Sequence, residues 1–343
     1  MKKNDPVTTM SPMTFAEALN AALAHALHTD PDVVLLGEDI GKPSGGIYRV
    51  TQGLEESYGS RRVITTPISE QGIIGVGIGL ALSGKRPVAE IMLMDYLTIA
   101  SDQLVNHAAK LRYTTNGASH VPLTVRMHIG GGTMGGAQHS QSLEAWLAHI
   151  PGLNIVMPST PEDASGLLLS CINNNDPCVV LECIELLWSR ERHPVPAVAQ
   201  QIPLGKARLR RTGNDVTLVT YGRGVAWSLQ AAEVVDKQFG IGCDVIDLRS
   251  LVPLDLPLIL DSARKTRRVV ITHAANEFCG YGAEVACQVT EALHSTLLYP
   301  VCRVGSHASP VPYSSALENL HTPDAQRITD TILQMFASTE CRR

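Results

Sequence analysis

The sequence predicts a two-domain α/β protein in which parallel sheets are covered by helices. Short runs of β-branched residues alternate with alanine-rich helical patterns along the whole chain, and this alternation is typical of parallel sheets. The chain has 343 residues, and one domain usually takes about 100–200 residues. Aromatic residues make up only 4%, beside 28 glycines and 20 prolines, which suits strands of Val, Ile and Leu joined by tight turns.

The elements of the first half begin with a helix over residues 14–27, where apolar residues recur at helical spacing behind Thr14. A strand follows and ends at the turn that begins with Gly37. Ser69 is placed to cap a glycine-rich helix. The remaining predicted strands are 33–36, 62–65, 87–93, 121–126, 153–157 and 178–182, and the remaining helices are 98–112, 140–148 and 161–172.

A proline-rich, irregular stretch over residues 193–203 interrupts this alternation and is interpreted as a linker. The pattern then restarts, which predicts a second, smaller parallel α/β domain. Its predicted strands are 216–221, 243–247 and 268–272, and its helices are 227–239 and 258–263.

Composition excludes several classes of protein. The net charge is −5 and basic runs are short, so nucleic acid is not an expected partner. The longest apolar stretch, residues 72–84, falls short of the roughly 20 residues that cross a bilayer, and no apolar core follows the first lysines as in a secretory signal. The eight cysteines lack zinc-site spacing and are expected to be buried in a reducing compartment. We expect a cytoplasmic protein without a membrane partner.

Two glycine patterns suggest phosphate binding but fit it poorly. The frame from Gly79 to Lys85 has the GxxxxGK spacing, but Arg86 follows where a P-loop needs Ser or Thr. Gly75, Gly77 and Gly79 alternate as GxGxG rather than GxGxxG, so a dinucleotide site is the weaker alternative. We interpret these glycines as a helix face that lets another backbone approach closely, across a subunit interface.

Glu70 is a candidate functional carboxylate. It follows a strand and begins an apolar helix, among Ile68, Ile73 and Ile74, and ligands of parallel sheets bind at the carboxyl ends of strands. In that setting a carboxyl group can share a proton with a ring nitrogen. The alternative is a solvated glutamate that the helix dipole favours in a first turn.

His139 is the second candidate, because it ends a glycine-rich segment over residues 130–138. Five glycines in seven residues indicate a loop that is mobile or closely approached. A titratable imidazole there can meet a bound intermediate, whereas the alternative is a structural histidine. His25 and His28, one turn apart on the first helix, are expected at the surface without a metal.

Five segments recur in order and spacing in one known family. They are GEDIG at 37–41, TPISE at 66–70, DQ at 102–103 with NHAAK at 106–110, QHSQ at 138–141, and PGLNIVMPS at 151–159. Over roughly residues 12–336 the chain resembles the beta subunit of thiamine-diphosphate-dependent 2-oxo acid dehydrogenases. The acetoin and branched-chain members are at least as similar as the pyruvate members.

The resemblance implies a domain of the thiamine-diphosphate-binding fold, the pyrimidine domain, over residues 12–192, with a parallel sheet that has helices on both faces. A linker over 193–203 would join it to a transketolase C-terminal-like domain over 204–338.

The same resemblance assigns roles to five residues. Glu70 would pair with the aminopyrimidine ring of the cofactor and share a proton with it, which generates the nucleophile that attacks a 2-oxo acid. Ile68 and Tyr96 would contact the cofactor and Glu38 would lie beside it. His139 would take part in passing the acyl group to a lipoyl arm.

One motif of the family is missing. Its members hold the diphosphate and Mg²⁺ through a GDG motif, and this sequence contains no Gly-Asp-Gly. The missing half of the site should therefore come from an alpha subunit, in an α2β2 heterotetramer that works with a lipoyl acyltransferase core. A single-chain transketolase-like enzyme would need several hundred further residues.

Two further features are a match to the family's potassium site and a segment that departs from the family's usual sequence. A structural potassium site of the family is matched here by Leu123, Cys171, Ile172, Asn174 and Asp176, with the acid and amide exchanged. The segment 273–277 reads HAANE where members often have paired acids before a glycine-rich turn. Contacts of this region, up to Gly280, with the alpha chain or the acyltransferase are left open.

The expected reaction is the decarboxylation of a small 2-oxo acid followed by reductive acylation of lipoamide. Two alternatives stay open at this point. One is an acetoin dehydrogenase component, in which the same cofactor cleaves an acyloin, and the other is a binding subunit of this fold without turnover.

Overall fold

Two sheets of mainly parallel strands form the architecture of the protein. The structure, a computed structural model, describes residues 10–196 and 200–340. The segment before residue 10, on which the absence of a secretory signal was argued, therefore lies outside the described residues, as do residues 197–199 of the predicted linker and Cys341.

Fourteen strands occur in the described residues. They are β1 (Met10–Met13), β2 (Val33–Glu38), β3 (Val63–Thr66), β4 (Arg86–Ile91), β5 (Thr124–Ile129), β6 (Asn154–Val156), β7 (Cys178–Cys183), β8 (His193–Pro196), β9 (Arg208–Arg211), β10 (Val216–Thr220), β11 (Cys243–Asp247), β12 (Ser250–Val252), β13 (Val269–Asn276) and β14 (Cys302–Ser306).

Thirteen α-helices join them within the same ranges. They are α1 (Phe15–Thr29), α2 (Leu54–Tyr58), α3 (Glu70–Leu82), α4 (Leu97–Ser101), α5 (Ala109–Thr114), α6 (Glu144–Ala148), α7 (Pro161–Ile172), α8 (Ile184–Trp188), α9 (Gly224–Phe239), α10 (Leu256–Thr266), α11 (Tyr281–Leu293), α12 (Ser315–His321) and α13 (Ala325–Glu340). Among the described residues, no helix combines the length and apolarity that a bilayer crossing requires.

The first sheet has seven strands in the order β12-β6-β7-β5-β4-β2-β3, all parallel except β12. Successive residues of a strand point to opposite faces, and Leu36 and Leu35 of β2 pack into two different core clusters. One cluster contains residues of α3 and α4, and the other contains residues of α1 and α7. Helices therefore cover both faces of this sheet, as expected.

The second sheet has five strands in the order β14-β13-β10-β11-β9, with only β9 antiparallel. Residues of α10 and α11 pack on one face and residues of α9 and α13 pack on the other. The cluster that holds α10 and α11 is continuous with the core of the first sheet. The two halves of the chain therefore share one hydrophobic core.

Several predicted elements differ in extent. The strand expected at 121–126 is β5 at 124–129, because Pro122 has no backbone N–H to donate to a ladder. The helix expected at 98–112 is three consecutive segments, in which a π-helix over 102–108 separates α4 from α5.

The helix expected at 140–148 is only α6, because Gln141 is held in an extended segment. Its backbone N–H donates to the carboxylate of Asp95 and its carbonyl accepts from Gly130. Thr14 caps α1 as expected through a reciprocal capping box with Glu17. Ser69 occupies the N-cap position of α3, but its side chain makes no capping hydrogen bond, so that prediction is wrong.

Two pairings lie outside any local pattern. Residues 193–196 of the predicted linker form β8 and pair antiparallel with β1. Strand β12 follows β11 in the chain but joins the first sheet beside β6. The expected boundaries between the two domains remain a prediction.

Candidate active site

The carboxyl ends of four neighbouring strands bring the predicted site residues together. Glu38 ends β2, Glu70 follows β3, Tyr96 ends a 3₁₀ turn after β4, and His139 lies in the loop after β5. These strands are adjacent in the order β5-β4-β2-β3 and run parallel, so their carboxyl ends meet at one edge. The strand-end position from which Glu70 was singled out is observed, and His139 lies at the same edge; their roles there remain a prediction.

Glu70 is the first residue of α3 and only 6% exposed, so most of its side chain is removed from solvent, which disfavours the alternative of a solvated glutamate. Ile73 and Ile74 of the next turn are buried. Among the described residues its carboxylate has no hydrogen-bond or ion-pair partner. Buried polar groups in folded proteins normally have a partner, and the described residues supply none for this carboxylate.

The electrostatics of this edge are those of carboxylates. Burial raises the pKa of Glu38, and the charges of Asp39, Glu70 and Glu90 raise it further. Burial also raises the pKa of Tyr96, together with the charges of Asp95, Glu70 and Glu38. The charge of Glu70 therefore contributes to the raised pKa of both Glu38 and Tyr96.

Arg126 of β5 is a buried cation of this sheet, and its guanidinium is already paired with acids of neighbouring strands. Its guanidinium forms two hydrogen bonds of 2.7 Å to Glu182 and one of 2.5 Å to Glu90, all buried. It therefore neutralises acids below the edge rather than those on it. The open edge is left acidic and fits a group that brings a proton or a positive charge.

Tyr96 and His139 form the outer part of the site. The Tyr96 hydroxyl lies 3.2 Å from His139 Nε2, and the two rings meet edge to face at 6.1 Å. His139 is exposed, whereas Tyr96 is half-buried. An imidazole that is oriented by a phenol and open to solvent can exchange a proton with an incoming substrate.

Asp95 supports this pair and was missed as a site residue in the sequence. It is buried, and its Oδ1 accepts hydrogen bonds from Gln141 N at 3.3 Å and Gln141 Nε2 at 2.9 Å. Asp95 therefore ties the turn that carries Tyr96 to the segment that carries His139. Its place after a strand, next to an aromatic, was the available signal.

The segment over residues 130–138, called the glycine loop below, is closely approached rather than free. The carboxylate of Glu318 in α12 accepts from Gly132 N at 2.7 Å and from Met134 N at 3.2 Å. A side chain at Gly136 would collide with the ring of Tyr313. No local pattern connects residues so far apart in sequence, so this contact could not be predicted.

Proteins of known family are similar to this chain over most of its length. A 2-oxoisovalerate dehydrogenase subunit beta from Pseudomonas aeruginosa is 43% identical over 329 residues, which cover 91% of this chain and 92% of that protein. This chain belongs to the beta-subunit family of 2-oxo acid dehydrogenases. The predicted family is confirmed.

Further relatives agree with this beta-subunit assignment. A pyruvate dehydrogenase E1 component subunit beta from Staphylococcus epidermidis is 40% identical and covers 94% of this chain and 98% of its own. One from Rhizobium meliloti is 39% identical and covers 95% of this chain and 70% of its own. Residues 11–187 match the family "Transketolase, pyrimidine binding domain" and residues 205–328 match "Transketolase, C-terminal domain".

A solved structure shares the fold of the beta subunit. It is described as a split gene transketolase, an inactive beta4 tetramer, and it superposes with a TM-score of 0.76 at 22% identity, over 95% of this chain and 99% of its own. The predicted transketolase-like two-domain fold is thereby confirmed.

The residues predicted to bind potassium in the beta subunit have other partners. Arg86 donates to the carbonyl oxygens of Ile172 at 3.1 Å and Asn174 at 3.2 Å. The carbonyls of Leu123 and Cys171 accept backbone N–H groups, and Asp176 pairs with Arg112. Potassium coordination here stays a prediction that these hydrogen bonds do not support.

The predictions from the glycine patterns of the beta subunit have different outcomes. Lys85 of the near-miss P-loop forms an ion pair with Asp32 at 2.7 Å. Gly79 is exposed with open space around it, next to the exposed Val76 of the same helix, whereas Gly77 packs on Leu123 inside the chain. The subunit-interface reading of this helix face remains a prediction.

The departure at residues 273–280 is a packed turn. His273 is fully buried and lies against Gly280 and Gly282, where a Cβ would collide with its ring. Burial lowers the pKa of His273 to about 4.

The expectation that the cysteines are buried is wrong for Cys279 and Cys287, which are exposed.

Proposed function

We propose that this chain is the beta subunit of a heterotetrameric, thiamine-diphosphate-dependent 2-oxo acid dehydrogenase, which decarboxylates a 2-oxo acid and reductively acylates a lipoyl group on an acyltransferase. The observation that carries the proposal is the buried, unpartnered carboxylate of Glu70 at a shared strand edge. Family membership supplies the reaction class, and this edge supplies the chemistry that the reaction needs.

The carboxylates and the apolar side chain at this edge fit the aminopyrimidine of thiamine diphosphate. Glu70 would form a hydrogen bond with a ring nitrogen and share its proton, a role open to a carboxylate that has no partner among the described residues. Ile68 is 75% exposed in this chain and supplies apolar contact beside it. Glu38, whose pKa is raised by burial and by neighbouring carboxylates, would lie beside the same ring. When bound, the cofactor supplies the carbon nucleophile and accepts the electron pair left by decarboxylation.

The same edge does not fit a diphosphate. The charges that shift the pKa of Glu38 and Tyr96 all come from carboxylates of the described residues, and these repel the phosphate oxygens. Carboxylates do bind Mg²⁺, but the described residues contain no group of three or more His, Cys, Asp or Glu side chains that could hold a metal ion. We therefore assign the diphosphate and Mg²⁺ to an alpha subunit, which makes the active site an interface of an α2β2 assembly.

His139 serves the second half of the reaction. It is exposed, and its Nε2 is oriented by the Tyr96 hydroxyl. From this place it exchanges a proton with the sulfur of a lipoyl group that reaches the site from solvent. Acyl transfer therefore uses a residue on the open side, whereas Glu70 acts on the buried side.

The Glu70→Gln substitution in the co-purified alpha and beta pair tests the proposal. Glutamine keeps the shape but cannot share a proton, so we expect decarboxylation to fall about 10²- to 10⁴-fold with the assembly intact. Glu56→Gln, an exposed first-turn glutamate of α2, is the matched control. Full activity of the Glu70 variant would contradict the proposal.

The same pair assayed with pyruvate, branched 2-oxo acids and acetoin identifies the substrate. Turnover of acetoin alone would establish acyloin cleavage instead. Absence of turnover with all three by an assembled wild-type pair would favour a binding subunit.

A further inference from the structure

A single carboxylate of the second half of the chain is hydrogen-bonded to the glycine loop of the first half. Glu318 is 5% exposed, and it accepts hydrogen bonds from the backbone N–H groups of Gly132 and Met134. Hydrogen bonds to an ionised acceptor are about twice as strong as neutral ones. The loop therefore receives its strongest polar contact from α12.

The glycine loop has a shape that this carboxylate fits closely. A Cβ at Gly131 would lie 2.5 Å from Glu318 Oε1, and Gly132 has a φ of +100°. Met134 has a φ of 58°, an uncommon conformation for a residue with a side chain. Such a conformation costs free energy and persists only where surrounding contacts enforce it.

His139 lies between two such attachments. Glu318 holds the loop before it, and Asp95 holds Gln141 after it. With both sides fixed, the imidazole is kept within 3.2 Å of the Tyr96 hydroxyl. Glu38 and Glu70 lie at or after the ends of other strands, and no hydrogen bond or ion pair joins them to the glycine loop among the described residues.

We propose that Glu318 is a positioning residue, which holds the glycine loop so that His139 faces the lipoyl acceptor. The inference rests on the role proposed above for His139. It gives the C-terminal half of the chain a part in acyl transfer, and it separates the two half-reactions. Loss of Glu318 slows acyl transfer far more than decarboxylation.

The Glu318→Gln substitution in the assembled α2β2 enzyme tests this. The amide keeps the size of the side chain but turns an N–H₂ donor toward one of the two backbone donors. We expect kcat for acylation of a free lipoyl domain to fall about 10- to 100-fold. Decarboxylation with an artificial electron acceptor should fall less than about threefold, with KM for the 2-oxo acid unchanged. Glu284→Gln, an exposed glutamate of α11, is the control and should change neither.

Gly131→Ala disturbs the same contact from the loop and does not depend on the folding of the Glu318 variant. The methyl displaces the end of a flexible side chain, so the same selective loss is expected, and the double variant should lose little more than either single one. Equal losses in both half-reactions, or additive losses in the double variant, would show a merely structural role and overturn the inference.

His139→Ala separates the two proposals. A selective loss of acyl transfer in this variant, with no such loss in either Glu318→Gln or Gly131→Ala, overturns the role of Glu318 and leaves that of His139. Unchanged acyl transfer in His139→Ala contradicts the proposed role of His139 itself.

Discussion

The two parallel sheets of this chain carry polar residues at their carboxyl edges, but they use them in opposite ways. On the first sheet, Glu70 is buried without a partner among residues 10–196 and 200–340, and the charges that raise the pKa of Glu38 beside it are carboxylates. On the second sheet, Asp247 ends β11 and is fully buried, and its carboxylate pairs with Arg210 at 2.8 Å. The first edge is incomplete by itself, whereas the second supplies its own counter-charge.

The second edge is also closed by the first half of the chain. Tyr221 follows β10, donates to Glu144 of α6 at 2.9 Å, and stacks on His273 at 5.8 Å. Arg210 and Arg249 both reach Asp163 at the start of α7. Strand-end position is therefore insufficient to mark a binding site, and the missing counter-charge is the feature that separates the two edges.

The largest expected contrast concerns Glu70→Gln. Because Glu70 has no partner to lose in the part of the chain that the structure describes, we expect the melting temperature of the assembled enzyme to stay within a few degrees of the wild type while decarboxylation falls about 10²-fold or more. Thermal unfolding and turnover measured on one preparation check this. A large loss of stability would mean that Glu70 is structural, as on the second edge.

Arg210→Ala should give the reverse result. Removing the guanidinium leaves the buried carboxylate of Asp247 without its ion-pair partner, whereas Asp163 keeps Arg249. We therefore expect about 3 kcal/mol of destabilisation with normal turnover below the melting temperature. Denaturant unfolding checks this, and Arg208→Ala, whose exposed side chain pairs with Glu162, is the control at about 0.5 kcal/mol or less. Equal effects of the two substitutions would remove the distinction between the edges.

Because His273 is buried, we expect the stability of the folded chain to depend on pH. Burial lowers its pKa from 6.5 to about 4, so the unfolded chain binds more protons than the folded one between these values, and stability falls as the pH drops from 6.5 towards 4. We expect about 3 kcal/mol from this residue. Unfolding of wild type and His273→Asn across this range should differ in slope, and parallel curves would contradict the prediction.

Tyr96→Phe is expected to have the smallest effect. It removes the hydroxyl that orients His139 Nε2 but keeps the ring, so acyl transfer should fall about fivefold, or about 1 kcal/mol. Decarboxylation should change less than acyl transfer. Transfer rates for a lipoyl domain check this, and an unchanged rate would show that His139 is oriented without Tyr96.

Much of the active edge could be predicted from short segments. Glu38, Tyr96, Glu70 and His139 each follow a predicted strand, and parallel strands bring such positions to one edge. The position of β5 was predicted three residues too early because the apolar run around Pro122 looked like strand. The helix over 140–148 was predicted too long because the pattern did not reveal that Asp95 holds Gln141 extended.

The sequence by itself determined the alternation of strands and helices, the family, and the residues at the strand ends, since these depend on periodicity and motifs over a few residues. Only the tertiary structure decided that β12 joins the first sheet, that Glu318 holds the glycine loop, and that one carboxyl edge is neutralised while the other is not. These features depend on contacts between residues far apart in the chain, and the charge balance of a buried group is fixed only when its neighbours in space are known.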